Sequence, residues 1–336
     1  MEQRSCNTYE ANWLDRNHLG FLNLVLYAFL PHSKRETHEL ASDNIIKLNE
    51  INSLWPRPWL YSRALLLFTV AFVMLYICWM MDDREEQSTL LPGMTIVGSL
   101  AIPLSMLLFF FETNKFRTIP LIDVMKYFFV GSCLSIGITF LLNYAIGFAP
   151  SERFYYNGHN YFTPSIMLNY GSVPLITDAI IEEFGKTLVI FFFLMQHRRR
   201  CYILQGMLIG AAVGAGFSVF ETAGYALIDT ANLLSSILAR GLMAPVCHIA
   251  WGALLGGVTM MIVRQKKLSF WYLLHPLFSL LFIFIVALHS IWNFLIETSP
   301  TLNANVQLSV ITWFLILLLM WRGLRQIAKI QKQSNS

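Results

Sequence analysis

Long apolar runs alternate along this chain with short polar segments. Eight runs are read as helical spans: Leu60–Met81, Leu91–Phe111, Val124–Phe148, Val173–Met195, Ile203–Ile228, Leu238–Val263, Trp271–Glu297 and Leu308–Trp321. A helix rises about 1.5 Å per residue and the hydrocarbon core of a bilayer is about 30 Å thick, so about 20 apolar residues suffice to cross it. An earlier apolar stretch, Leu19–Leu30, is too short to span and reads as a short amphipathic or interfacial helix. The expected fold class is therefore all-α: a polytopic transmembrane helical bundle of eight spans, with no β domain and no soluble catalytic domain. The pattern divides the chain into an N-terminal cytoplasmic region (1–58), three scaffold helices (59–148), an outer loop (149–172), a four-helix core (173–297), and a last span with a basic cytoplasmic tail (298–336).

Composition agrees with that reading. The 336 residues are 56% hydrophobic and only 13% charged, where a soluble domain carries about 25% charged residues. A net charge of +4 is too small and dispersed to point to nucleic acid. Five scattered cysteines (Cys6, Cys78, Cys133, Cys201, Cys247) show neither zinc nor redox spacing and imply no disulfide framework. The polar N-terminus, MEQRSCNTYEANWLD, has no apolar core beside a cleavage site, so no signal peptide is expected. Placing both termini inside puts 18 of the 24 Lys and Arg residues in inside segments and only Arg84 and Arg153 in outside loops; Arg63, Lys126, Lys186 and Arg240 fall within spans. Cytoplasmic loops carry that excess of positive charge, so the bias supports both the count of spans and the N-in, C-in orientation.

Chemistry concentrates in the fourth to seventh spans. In DAIIEEFGKTLVIFFFLM, residues 178–195, Glu182, Glu183 and Lys186 interrupt an otherwise apolar run. Each ionisable group near the bilayer centre costs roughly 2.5–3.5 kcal/mol on insertion scales, and such groups usually mark function. Glu221 lies in the fifth span, Arg240 and His248 in the sixth, His289 and Asn293 in the seventh. Counted from the outer ends of their spans, Glu182, Glu221, His248 and His289 sit about 14, 12, 15 and 14 Å deep. Two acids and two histidines on four helices thus reach one level. Glu182 and Lys186 are spaced i,i+4 and share a helix face, as do His289 and Asn293. Small residues (Gly206, Gly210, Gly214 and Ser218 on the fifth span, Gly252 and Gly256 on the sixth) allow close helix approach.

Each group also has a plainer reading. A lone intramembrane histidine serves as a hydrogen-bonded packing residue, Arg240 snorkels or pairs with an acid, and Glu183 with Lys186 forms an internal ion pair. The adjacent Glu182–Glu183 pair is harder to account for that way, because neighbouring carboxylates repel in a low dielectric and suit proton transfer.

Four ordered motifs carry a resemblance: EEFGK at 182–186, GAAVGAGFSVFETAGY at 210–225, RGLMAPVCHIAWGALLGG at 240–257 and HSIWN at 289–293. In these the chain resembles the PrsW family of intramembrane proteases, related to the CAAX prenyl endopeptidases. The second motif ends in Glu221, as in PrsW, where the CAAX relatives carry His. The resemblance covers residues 173–297 and leaves the N-terminal region unexplained. It implies hydrolysis of a peptide bond in a membrane-anchored protein, such as an anti-sigma factor, on the outer side of a bacterial cytoplasmic membrane. The expected partners are a single-pass membrane protein or peptide and the lipid bilayer, not nucleic acid.

In the preferred mechanism, without a cofactor, Glu182 activates water with help from Glu183. His289 and Asn293 polarise the scissile carbonyl, His248 and Glu221 complete the water pocket, and Lys186 and Arg240 balance charge. The rival is a zinc protease with Glu221, His248 and His289 as ligands, although no HExxH is present. A different class, a non-catalytic scaffold or a proton- or ion-coupled transporter, would also use a buried polar network; no inverted repeat relates the two halves of the chain. With both termini inside, a cysteine introduced at Asn160 in a Cys-free background reacts with an impermeant maleimide from the outside. Labelling only from the inside would overturn the orientation.

Overall fold

The computed structural model describes Pro56 and residues 58–82, 88–114, 119–146, 173–196, 202–228, 233–241, 247–264, 266–298 and 302–334. The described residues are mostly helical, with no strand among them. Eight long helices follow one another: α1 (Leu60–Met80), α2 (Leu91–Thr113), α3 (Leu121–Ile146), α4 (Val173–Gln196), α5 (Ile203–Ile228), α6 (His248–Val263), α7 (Pro276–Thr298) and α8 (Leu302–Ser334). Six of them (α1, α2, α3, α5, α7 and α8) are long and apolar enough to cross a membrane by length and composition. The other two fall short for different reasons: α4 holds four charged groups and α6 is only 16 residues long. The chain is an integral, multi-pass membrane protein. Residues 1–55, where the short helix Leu19–Leu30 is expected, and the outer loop 149–172 lie outside the described residues.

Helix α5 is the axis of the bundle. It is buried continuously from Ile203 to Val219 and packs against α6, α3, α2, α4 and α8. The α5–α6 contact explains the glycine stripes. A Cβ built on Gly206 would land on the carbonyl oxygen of Gly256, one on Gly210 on that of Gly252, and one on Gly214 on that of His248. Backbone therefore meets backbone along three turns, and no side chain fits between. That approach brings the N-terminus of α6, with His248, against the wall of α5. Helix α1 sits at the periphery with no buried residue and packs on α2. Its free N-terminal amides are capped from α2, because the Glu112 carboxylate accepts hydrogen bonds from the backbone N–H groups of Trp59, Leu60 and Tyr61 at 2.9, 2.9 and 3.1 Å.

The sixth and seventh spans begin later than the sequence pattern predicts. In place of one helix over Leu238–Val263, a helical turn (Leu233–Ser236) runs into a π-helical turn (Ile237–Gly241), and α6 starts only at His248. Cys247 precedes it with non-helical backbone angles (φ −93°, ψ −112°). The sequence supplies the reason in Pro245, since proline lacks the N–H an α-helix interior needs and clashes with the preceding turn. Likewise Phe270–Leu274 form a 3₁₀ turn, and α7 begins at Pro276, the first helical position, where proline fits well. Helix α8 extends well beyond Leu308–Trp321 at both ends; its 33 residues reach about 50 Å, so it projects past a bilayer core.

Glycine packing yields a contrast. Gly210→Ala is expected to lower stability by about 1–3 kcal/mol, the usual effect of overpacking. Gly224→Ala, on the same helix but with nothing within 4 Å of the new Cβ, is expected to be neutral or stabilising. Thermal unfolding of the two purified variants checks this; equal midpoints would contradict the close α5–α6 contact.

Candidate active site

Helices α4, α5, α6 and α7 place their ionisable residues in one cluster. Lys186, with no exposed side-chain surface, donates from Nζ to Glu183 Oε1 at 2.6 Å and to His248 Nδ1 at 2.7 Å. It also lies 4.2 Å from the centre of the Phe217 ring, a favourable place for a cation. His289 Nδ1 lies 2.9 Å from the same Glu183 oxygen. Of the two pairings the sequence left open, Lys186 with Glu182 at i,i+4 or with Glu183 at i,i+3, the structure has the second. Both spacings share a helix face; the choice is made from α6 and α7, whose histidines converge on the Glu183 side.

The partners fix the histidine tautomers. An ammonium only donates, so His248 Nδ1 is an acceptor and the proton sits on Nε2. That nitrogen faces Glu221 Oε2 at 2.7 Å. The other Glu221 oxygen accepts from Arg240 Nη1 at 3.0 Å, and Arg240 stacks 3.5 Å over the Tyr225 ring. Glu221 is thus held between the π-helical turn and α6. His289 Nδ1, against a carboxylate, carries a proton, and its Nε2 points to Glu182 Oε2 at 3.5 Å. The two imidazoles meet edge to face with centroids 5.2 Å apart.

Glu182 differs from its neighbour. Glu183 is completely buried, with Oε1 shared by Lys186 and His289 and Oε2 unpartnered, whereas the Glu182 side chain keeps 18% of its surface and its Oε2 has no hydrogen-bond partner among the described residues. One carboxylate is an anchor and the other is uncommitted. Asn293 lies one turn beyond His289 on α7 and is half-buried. Sequence reasoning missed Trp251: its indole is buried, stands 5.0 Å from the His289 ring centre, and its Nε1 has no partner. Its spacing of three residues from His248, on one helix face, was the available signal.

Metal-binding potential falls on a different set from the one predicted. One ligand atom from each of Glu182, His248 and His289 lie within 4.8 Å of one another, while the oxygens of Glu221 are engaged by Arg240 and His248. Two imidazoles and a carboxylate suit a divalent metal. The orientation of His289 by Glu183, which leaves Nε2 towards Glu182, matches the carboxylate support common behind metal-binding histidines. His248 has both nitrogens engaged and would give up one hydrogen bond to join.

The cluster gathers carboxylates, imidazoles and basic side chains from four helices inside a transmembrane bundle, a composition suited to a hydrolase. The sequence model of the family described as "PrsW family intramembrane metalloprotease" matches residues 120–320. The chain belongs to this family and is an intramembrane protease. The matched range runs from the start of α3 into α8 and contains every site residue above. Two similar proteins are both named "Protease PrsW". The one from Geobacillus kaustophilus is 23% identical over 236 residues, 69% of this chain and 90% of the relative. The one from Halalkalibacterium halodurans is 22% identical over 161 residues, 48% of this chain and 66% of the relative. No solved structure matches the chain.

The asymmetry between the two glutamates has a measurable consequence. Glu183→Gln removes the counter-charge of a fully buried lysine and is expected to destabilise the protein by about 3–5 kcal/mol, the usual effect of breaking a buried ion pair. Glu182→Gln, which leaves no buried partner unpaired, is expected to unfold near the wild-type midpoint. Thermal denaturation in one detergent compares them; equal midpoints for both would contradict the anchoring role of Glu183.

Proposed function

We propose that the protein is an endopeptidase that hydrolyses a peptide bond of a membrane-anchored protein near the outer side of a bacterial cytoplasmic membrane, with Glu182 activating the water. The observation that carries this reading is the uncommitted Glu182 Oε2, buried and facing His289 Nε2. A carboxylate already gripped by a lysine and a histidine is a poor base, and Glu183 is gripped in that way. Glu182 takes a proton as water attacks the scissile carbonyl. Donors for the developing oxyanion stand on two helices near His289: the Asn293 amide on α7 and the indole N–H of Trp251 on α6. Three carboxylates (Glu182, Glu183, Glu221) face two basic side chains (Lys186, Arg240). Glu221 and Arg240 hold His248 in place, and His248 in turn receives Lys186. A membrane-anchored anti-sigma factor is one substrate with the required form.

A second reading rests on the mutual proximity of Glu182, His248 and His289. These residues would hold a zinc ion, which when bound supplies Lewis acidity and lowers the pKa of a coordinated water. In that case Glu183 orients His289, and Lys186 remains the counter-charge of Glu183.

Both readings are tested by the cleavage of co-expressed single-pass substrates, followed by mass spectrometry of the products. Glu182→Gln is expected to slow cleavage by about 10²–10⁴-fold at unchanged membrane level. Under the first reading, wild-type activity survives strong chelation and zinc is substoichiometric. One tightly bound zinc per chain, lost in His289→Ala, would establish the second. Full activity of Glu182→Gln would remove Glu182 from the chemistry.

A further inference from the structure

At the end of the bundle opposite the active site, the C-terminus of α6, the start of α7 and the second half of α8 line a half-open cavity of about 530 Å³. Its polar lining consists of Arg264, Lys266, Tyr272, His275 and Arg322, and it contains no carboxylate. Met261, Ile262 and Leu277 supply the apolar part. Every polar side chain in this wall can donate. His275 Nδ1 accepts the Leu277 N–H at 3.2 Å, which leaves its other nitrogen to carry the proton. Among the described residues Arg322 Nη1 meets the thioether of Met261, at 3.4 Å, a weak acceptor.

Two independent features show that this wall is more than a solvated basic rim. Arg264 sits in the left-handed region (φ 48°), the single positive-φ non-glycine residue among those described. It ends α6, a position where glycine is strain-free and strongly favoured. The chain keeps a guanidinium there against the backbone preference. Beside the cavity, the 3₁₀ turn Phe270–Leu274 leaves Trp271 79% and Leu274 70% exposed, an aromatic and aliphatic edge of the kind that settles at the headgroup level of a bilayer. By the distribution of basic residues, this end is the inner one, where anionic lipids concentrate and basic pockets between helices bind their headgroups.

We propose that the cavity binds a phosphate-bearing anion, supplied by the headgroup of an anionic phospholipid or by free phosphate. The neighbouring exposed turn favours the lipid, because it places acyl chains next to the basic wall. The assignment does not rest on the catalytic reading and survives its failure.

The test uses the full chain reconstituted in phosphatidylcholine vesicles, in vesicles with an increasing share of phosphatidylglycerol, and in phosphatidylcholine vesicles with inorganic phosphate added. The readout is the thermal unfolding midpoint. Phosphatidylglycerol is expected to raise it. Each of Arg264→Gly and Arg322→Gln is expected to raise the share of phosphatidylglycerol needed for half the effect about fivefold, the ratio equivalent to about 1 kcal/mol per basic group at an anionic surface. Arg264→Gly relieves the backbone, so a lost lipid response in that variant is not a folding defect. Arg325→Gln, on α8 but outside the lining, is expected to respond as wild type. A midpoint raised by inorganic phosphate alone, with no further effect of phosphatidylglycerol, would keep the site and assign it to the free anion. No response to either, a response unchanged in the cavity variants, or an equal loss in Arg325→Gln would overturn the proposal.

Discussion

A lysine with no exposed surface in the middle of a membrane bundle must have a carboxylate beside it, and Lys186 has Glu183 at 2.6 Å. The geometry of the site follows from this pair. Desolvating either ion alone would cost several kcal/mol, and the cost is offset only when the remaining donors and acceptors are also satisfied. His289 completes the Glu183 side and His248 the Lys186 side, so one ion pair on α4 draws in α7 and α6. His248 passes the constraint to Glu221 on α5, and Glu221 passes it to Arg240. The chain of contacts ends at Arg240, 20% exposed and stacked on Tyr225, where a charge no longer has to be fully desolvated. Glu182 stands beside this network without being consumed by it, its Oε2 without a hydrogen-bond partner among the described residues.

Close packing of α5 on α6 makes the arrangement accessible. With side chains between them, helices pack about 8–10 Å apart; glycine at three successive contact levels lets these backbones approach more closely. Gly214 lies against the His248 carbonyl itself, so the last level of the stripe is also the level of the site. A side chain there would push His248 away from Lys186 and break the link between the two histidine helices.

Much of this was legible in the sequence, and what was not has physical causes. Charged groups inside apolar runs identified Glu182, Glu183, Lys186, Glu221, Arg240, His248 and His289, because nothing but function or pairing keeps them there. The glycine stripes were visible, but that they face one another was not, since a stripe on a single helix does not say which neighbour it meets. Pairing at i,i+3 against i,i+4 was equally undecidable from one helix, because His248 and His289 settle it from elsewhere. The break before His248 was readable from Pro245 but was masked by the hydrophobicity of the surrounding run. Trp251 was hidden for the opposite reason: an indole in an apolar helix looks like core, and only its unpartnered N–H beside His289 distinguishes it.

Hydrolysis inside a membrane needs water where lipid excludes it, and buried polar groups without protein partners are what hold water in an interior. Glu182 Oε2, Glu183 Oε2 and Trp251 Nε1 are such groups, and they lie on the two helices that flank His289 and on the residues that contact it. In a scaffold these unsatisfied atoms would be a net destabilisation of about 1–3 kcal/mol each, with nothing gained in return. In the hydrolytic reading proposed above they are where the reacting water would bind. Within the cluster itself the atoms fall into two sets: Lys186, Arg240 and His248 are hydrogen-bonded and tie the helices together, while Glu182 Oε2, Glu183 Oε2 and Trp251 Nε1 have no partner among the described residues.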